Sequence, residues 1–271
     1  VLVDDGSTDD WHKNFQDPIR RLADNIQIFE HKKKLGKGQA LKTGVEGSKG
    51  ETIIFMDADL QDDPKDIIRF LKKINEGFDL VNGIRVNRQE NIIVKIYSKI
   101  ASWFLKTFLH SPFTDINCGF KVFKKEVLKE FNFYGNNFRF FPLATYLNGY
   151  KVAEIPVTNN QRKFGKTKFG KSKIFIGILD MLTAYFLLKF SERPLHFFGV
   201  IGGMLFLVGF LISSYLAIER LFFGVLLFQR PLLQLGILLI IVGIQVVMTG
   251  IIGELIVFID QRSKIKDQKL V

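Results

Sequence analysis

The sequence is poor in the residues that form covalent or metal cross-links. It has one cysteine in 271 residues, Cys118, so no disulfide can form within the chain. A reducing side of a membrane is therefore favoured over an oxidising compartment. The histidines stand far apart, and none has the spacing typical of a zinc site: His12, His31, His110 and His196. These absences exclude an internally disulfide-bonded scaffold and argue against a zinc domain.

Charged residues are scarce from about residue 195 to residue 259, although they make up 24% of the whole chain. Two apolar runs in this part, 195–218 and 232–259, each exceed the ~20 residues that span a bilayer. The linking loop is short, whereas the flanks on both sides of the pair are rich in lysine and arginine. The positive-inside rule puts both flanks in the cytoplasm. We therefore expect a transmembrane hairpin with a basic cytoplasmic tail over residues 193–271.

Two smaller features near the apolar runs have alternative interpretations. Glu254 is the one acidic residue inside the second run, and a position at the membrane interface is favoured over a functional role. The apolar segment 174–188 is too short to span comfortably and lies between Lys173 and Lys189. We expect it to form an interfacial helix within a juxtamembrane segment, residues 173–192. A buried core helix is the alternative.

Residues 1–172 alternate short apolar runs with amphipathic stretches, which is typical of an α/β domain with a mostly parallel sheet. The predicted strands are 1–3, 26–29, 52–57, 79–83, 119–123 and 151–157. The predicted helices are 10–24, 38–48, 64–76, 91–109, 124–130 and 138–148. The chain begins on a strand without a methionine. Because a βαβ unit takes roughly 30 residues or more, we expect the domain to be truncated, with a strand and a helix missing in front.

Two acidic turns follow predicted strands, at the edge of the sheet where α/β proteins bind ligands. In FMDADLQDDP, Asp57 and Asp59 are one residue apart, so both carboxylates can converge on one Mg²⁺ or Mn²⁺ ion. In VDDGSTD, Asp4 and Asp5 end the first strand. Ligand contact is the favoured interpretation for this second pair, and a turn that caps the next helix is the alternative.

Several segments, taken in order, resemble glycosyltransferase family 2 with its nucleotide-sugar-binding GT-A fold: VDDGSTD, GKGQALKTG and FMDADLQDDP. Later segments are similar to the polyprenyl-phosphate branch, which includes dolichol-phosphate mannosyltransferases and bactoprenol glucosyltransferases: NGIRVNRQEN, TDINCGFKVFKKEVL, RFFPLATYLNGYKVAEIPV, RKFGKTKFGKSK and FSERPLHFFG. The resemblance covers essentially the whole chain and implies a GT-A domain over residues 1–172. The branch's opening P-x-Y-N-E-type segment is absent from this sequence, and Thr167 stands where the branch commonly has serine.

The resemblance implies a membrane-anchored, inverting glycosyltransferase. It would move a sugar from a UDP- or GDP-sugar to polyprenyl phosphate at the cytoplasmic face of a bacterial inner membrane, with Mg²⁺ or Mn²⁺ as cofactor. The acceptor phosphate, with a second pKa of about 6, is already anionic and needs little help from a general base. The metal and basic side chains would instead stabilise the leaving diphosphate. Whether the chain forms a homo-oligomer is left open.

The same resemblance assigns roles to particular residues. Asp57 and Asp59 would hold the metal, and Arg85 and Lys99 would bind the acceptor phosphate. Asp59 and Asp115 are the predicted catalytic residues, with Asp115 acting as a base or contacting a substrate hydroxyl; a turn-capping role for Asp115 is equally open. The predicted donor-binding residues are Asp4, Asp5, Lys37, Asp57, Arg162, Lys166 and Lys168.

Other functions fit the sequence less well. GKTKFGKS (165–172) matches the phosphate-binding pattern G-x-x-x-x-G-K-[ST], but a P-loop follows a buried strand directly, and here the nearest predicted strand ends near Val157. The net charge of +11 suits any anionic partner, yet no nucleic-acid recognition motif is present. A processive polysaccharide synthase would carry a Q-x-x-R-W segment, which residues 161–164 do not match. A non-catalytic membrane scaffold with a degenerate transferase domain remains an alternative.

Overall fold

The computed structural model describes residues 1–8, 25–86, 92–160 except 130, 132, 134 and 136, 171–224 and 231–268. The chain divides into two compact units, residues 1–184 and residues 185–271. The predicted helix at 10–24 lies outside the described residues.

The first unit contains all six predicted strands, each within a few residues of its expected position. They are β1 (Leu2–Asp4), β2 (Ile28–Glu30), β3 (Thr52–Phe55), β4 (Leu80–Arg85), β5 (Lys121–Lys124) and β6 (Val152–Val157). Its helices are α1 (Lys37–Glu46), α2 (Ile67–Asn75), α3 (Ile92–Leu109), α4 (Phe141–Leu147) and α5 (Lys171–Lys189), the last of which continues into the second unit. The helix predicted at 124–130 is a short 3₁₀ turn, Lys125–Leu128.

The strands form a two-stranded parallel sheet, β1–β2, and a four-stranded sheet in the order β3-β5-β4-β6. In the larger sheet β4 and β6 are parallel, whereas β5 is antiparallel to both of its neighbours. The sheet is therefore mixed, and β5 is the antiparallel strand in a sheet that was predicted to be mostly parallel. The segment 110–120, which follows α3, enters β5 from the edge at which β3 and β4 end. The α/β class itself is confirmed.

The loop that leads into β5 is held by its own apolar side chains. Phe113, Ile116, Cys118 and Phe120 are all buried, and Phe120 packs on Phe70 of α2 with ring centroids 4.5 Å apart. Burying an aromatic side chain of this size contributes about 2 kcal/mol or more. The loop is therefore fixed to the core although its other residues are polar.

The second unit is a pair of long helices, α6 (Pro194–Phe223) and α7 (Pro231–Gln268). The apolar stretches of these helices have mean hydropathies of 2.3 and 2.6. Only 11% of the first stretch and 17% of the second are buried within the protein. Such exposed apolar surface is what contact with lipid requires. The two predicted spans are confirmed as helices long and apolar enough to cross a bilayer, and the chain is a membrane protein.

Glycines bring α6 and α7 into close contact. A Cβ atom on Gly202 would lie 2.6 Å from the carbonyl oxygen of Gly243, and one on Gly209 would lie 2.6 Å from that of Gly236. Gly203 has open space around it, so Gly202 alone of this pair serves helix packing. Small residues that let backbones approach are typical of helix association in membranes.

Glu254 links the two helices at the end of the hairpin away from its loop. Its carboxylate accepts a hydrogen bond of 3.2 Å from the backbone amide of Leu195, in the first turn of α6. Amides in the first turn of a helix have no partner within the helix. Glu254 is therefore a cap for the first turn of the neighbouring helix.

We expect Gly243→Ile to weaken the hairpin. A Cβ at this position would lie 2.6 Å from the amide nitrogen of Phe206 and 2.7 Å from the carbonyl oxygen of Gly202, so the helices must separate. Overpacking of this kind costs about 1–3 kcal/mol. Thermal denaturation in detergent should show a lower midpoint than for Gly203→Ile, the matched control in open space. Equal midpoints for the two variants would contradict the close contact.

Candidate active site

The turn after β3 concentrates negative charge. Asp57 and Asp59 lie two and four residues after the end of the strand at Phe55, and Asp59 accepts a hydrogen bond from the amide of Gln61. Asp62 is buried, and its pKa is raised by burial first and then by the charges of Asp57 and Asp59. The turn at the carboxyl edge of the sheet therefore carries negative charges that influence one another, and negative charge favours a nearby cation.

Asp57 lies between α1 and the loop that enters β5. Its Oδ1 atom is 2.5 Å from Nζ of Lys37, the first residue of α1. On the other side, a Cβ atom at Gly119 would lie 2.6 Å from Oδ2 of Asp57, so only glycine allows this approach. The Lys37 ammonium also lies over the ring of Phe138, 5.4 Å from its centroid. The structure thus joins a predicted donor-binding lysine to a predicted metal ligand.

Arg85 and Asp115 form a bidentate ion pair. Nε and Nη2 of Arg85, at the end of β4, each donate a hydrogen bond of 2.8 Å to the Asp115 carboxylate. Both side chains are less than one-fifth exposed. Paired hydrogen bonds of this kind fix the plane of the guanidinium as well as its position. The predicted acceptor-phosphate residue and the predicted catalytic residue are therefore one unit.

The first acidic pair stabilises local structure. Asp4 is buried and accepts hydrogen bonds from the amide and the hydroxyl of Ser7, the kind of turn that was the alternative for this motif. Asp5 accepts from the amides of Leu35 and Gly36, each at 2.8 Å. Burial raises the pKa of Asp5, but these bonds and a contact with His31 outweigh it and lower the pKa. Asp5 thereby holds the segment that leads into α1, and donor contact by either aspartate stays a prediction.

The remaining predicted residues are less closely tied to this edge. Lys99 is exposed on α3. Arg162, Lys166 and Lys168 lie outside the described residues, as does most of the GKTKFGKS segment. Their predicted roles, like those of the residues above, stay predictions.

Two residues near the site were missed by the sequence reasoning. Lys121 is buried between β3 and β4, and its ammonium donates to the carbonyl oxygens of Ile116 and Cys118. Burial lowers the pKa of Lys121 to about 8. Glu154 on β6 accepts hydrogen bonds from Thr114 and Asp115. The signal for both was a charged residue inside an apolar strand, GFKVF and KVAEIPV.

Comparison with known proteins identifies the class. The family model described as Glycosyl transferase family 2 matches residues 1–132. The crystal structure of glucosyl-3-phosphoglycerate synthase from Mycobacterium tuberculosis superposes with a TM-score of 0.51 at 16% identity, over 68% of this chain and 67% of that one, which shows the fold alone.

Curated relatives give the family. The chain is 32% identical to the dodecaprenyl-phosphate galacturonate synthase of Rhizobium johnstonii, over 94% of this chain and 77% of that protein. It is 28% identical to the undecaprenyl-phosphate 4-deoxy-4-formamido-L-arabinose transferase of Photorhabdus laumondii, over 97% of this chain and 81% of that protein. The chain belongs to glycosyl transferase family 2 and is a glycosyltransferase, so the predicted family and enzyme class are confirmed.

The buried lysine predicts an unusual pH dependence of stability. Below pH 8, Lys121 is protonated in the native state and carries a buried charge. Above pH 8 the native lysine loses its proton, whereas Lys121 in the unfolded chain stays protonated up to its ordinary pKa of 10.5. The free energy of unfolding should therefore rise with pH, relative to Lys121→Met, by about 2 kcal/mol between pH 7.5 and 9.5. Denaturant titrations in detergent measure this difference. A difference that does not change with pH would contradict the burial of a charged lysine.

Proposed function

We propose that the chain transfers a sugar from a UDP- or GDP-sugar to polyprenyl phosphate at the cytoplasmic face of a membrane. The observation that carries the proposal is the extent of the match to the two relatives above, both named for polyprenyl-phosphate acceptors. The alignments span over nine-tenths of this chain and so extend beyond the residues matched by the family model. The proposed division is a catalytic domain (1–172), a juxtamembrane segment (173–192) and a hairpin (193–271).

On the donor side, we assign the metal to Asp57 and Asp59. Carboxylate oxygens are the ligands that Mg²⁺ and Mn²⁺ prefer, and both aspartates lie in the turn that follows β3. No cluster of three or more acidic, histidine or cysteine ligands is found within the described part of the chain. Two protein carboxylates suit a cation that also takes phosphate oxygens. When bound, the ion would stabilise the negative charge of the leaving diphosphate.

On the acceptor side, we assign the lipid phosphate to Arg85 and Lys99. Because a phosphate oxygen is already anionic near neutral pH, the reaction needs little proton abstraction. The bidentate pair favours an orienting role for Asp115, in which its carboxylate holds the Arg85 guanidinium in one plane. This orienting role is a third possibility beside the two that the sequence left open, and a direct contact of Asp115 with the sugar is compatible with it.

A surface of α3 supports the membrane side of the proposal. Ile96, Ile100 and Trp103 are 54%, 56% and 62% exposed, and they lie on the helix face opposite the buried Leu105 and Leu109. Soluble helices carry polar residues at such positions. We propose that this face rests on the bilayer surface, where aromatic side chains are favoured. Lys99, one turn before Trp103, would then lie at the level of lipid phosphates.

The transferase reaction is tested with the full chain in detergent. Short-chain polyprenyl phosphate and a panel of UDP- and GDP-sugars are supplied with Mg²⁺ or Mn²⁺, and the sugar-linked lipid is measured. We expect transfer from one donor, its loss with EDTA, and a decrease of about a hundredfold or more for Asp59→Asn, since the metal stabilises the developing charge.

The matched control is Asp63→Asn in the same turn. Asp63 caps the amide of Lys65, and asparagine caps equally well, so activity should persist. A folded protein that transfers no sugar from any donor would favour the scaffold alternative. Transfer that is insensitive to EDTA would overturn the metal assignment.

The membrane face of α3 is tested by fluorescence. Trp11→Phe leaves Trp103 as the only tryptophan. In lipid nanodiscs we expect a blue-shifted emission that brominated lipids quench, because the indole would lie among headgroups. The control is Leu147→Trp in a chain with both native tryptophans changed to Phe, since Leu147 is exposed just before β6, at the opposite edge of the sheet. Quenching of Trp103 by aqueous iodide alone would contradict the proposal.

A further inference from the structure

Glu154 is the centre of a hydrogen-bond network behind the Arg85–Asp115 pair. It lies on β6 opposite Asn82 of β4 in the strand register. Its Oε2 atom accepts from the amide of Thr114 at 2.8 Å and from the Thr114 hydroxyl at 2.6 Å. Its Oε1 atom accepts from Nδ2 of Asn82 at 3.0 Å and from the amide of Asp115 at 3.3 Å. Four donors therefore converge on one carboxylate.

The network holds the peptide groups of Asp115 on both sides. Glu154 binds its amide, and Nδ2 of Asn82 donates to its carbonyl oxygen at 3.0 Å. The Asp115 side chain is in turn bound to Arg85, three residues after Asn82 on the same strand. Main chain and side chain of Asp115 are thus both fixed by β4 and β6. The direction in which its carboxylate points is set by these two strands.

The four donors around position 154 suit a carboxylate better than an amide. A carboxylate offers four acceptor sites and no donor, which matches the four donors that surround it, whereas an amide would turn an NH₂ group towards some of them. Asn82 is fully buried, and its Oδ1 has no hydrogen-bond partner among the residues that the structure describes. A buried acceptor without a partner costs free energy. The orientation of Asn82 is therefore governed by Nδ2, which serves Glu154 and the Asp115 carbonyl.

We propose that Glu154 is a positioning residue for the acceptor: it sets the direction of the Asp115 carboxylate and, through it, the plane of the Arg85 guanidinium that meets the lipid phosphate. This inference rests on the proposed function. Glu154 lies behind Asp115 in this network and touches neither substrate. Its effect should appear in the use of polyprenyl phosphate and leave binding of the nucleotide-sugar unchanged.

The kinetic test is a double-mutant cycle between Glu154→Gln and Asp115→Asn. We expect Glu154→Gln to lower kcat/KM for polyprenyl phosphate by about tenfold to a hundredfold, with KM for the donor unchanged. In the Asp115→Asn background the same change should add less than about twofold, because the group through which Glu154 acts is gone. Additive losses, or an equal effect on donor KM, would overturn the proposal, since general damage to the fold produces both.

A second measurement does not depend on activity. Hydrogen exchange of a peptide covering residues 111–119 should be faster in Glu154→Gln, because either the amide of Thr114 or that of Asp115 would face an NH₂ group in place of an acceptor oxygen. Glu51→Gln, a change at an exposed glutamate just before β3, is the matched control and should leave this peptide unchanged. Unchanged exchange in Glu154→Gln would overturn the inference even if no sugar is transferred. Failure of the wild type to transfer sugar would overturn the proposed function alone.

A milder variant covers the case in which Glu154→Gln does not fold. Thr114→Val removes the hydroxyl that donates to Oε2 of Glu154 and keeps the backbone bond. We expect a smaller loss in kcat/KM for polyprenyl phosphate, again with donor KM unchanged. Wild-type kinetics for Thr114→Val together with wild-type exchange would count against the network.

Discussion

The antiparallel direction of β5 is the constraint on which the candidate site depends. Because this strand enters the sheet from the edge at which β3 and β4 end, the residues before it must lie beside the acidic turn after β3. Phe120 anchors that loop in the core, and Gly119 leaves room for the Asp57 carboxylate. An apolar anchor and a missing Cβ atom thus bring Asp115 and Asp57 to one edge, although 58 positions of sequence separate them.

Strand positions and the acidic turns could be read from the sequence because their signals are local. An apolar run bounded by turn residues marks β3 wherever it lies in the sheet, and Asp57 and Asp59 lie two and four residues after it. Strand direction has no such signal: GFKVF has the same pattern in a parallel or an antiparallel strand, so the sequence predicts β5 as a strand but not its direction. The partners of Glu154 are 39, 40 and 72 positions away in the sequence. Only the folded structure shows that hydrogen-bond donors surround its carboxylate.

The two units differ in where their polar groups lie and in how these groups are paired. In the first unit, the Arg85–Asp115 pair and the buried Lys121 are held among partners supplied by several strands. In the hairpin, apolar side chains face outwards and the contact between helices is made by glycine backbones, with Glu254 as a cap. Buried backbone groups need hydrogen-bond partners: strands and side chains supply them in the first unit, and the helices themselves supply them in the hairpin.

The glycine contacts and the Glu254 cap together fix the hairpin in a single register. Gly236 and Gly243 on α7 are seven residues apart, as are their partners Gly202 and Gly209 on α6. Sliding one helix by a single turn would move these glycines away from one another, whereas a slip of two turns, about 10 Å, would in one direction set Gly202 against Gly250 and Gly209 against Gly243. That slip would carry Glu254 away from the first turn of α6. The glycine contacts and the Glu254 cap are therefore both satisfied in one register of the two helices.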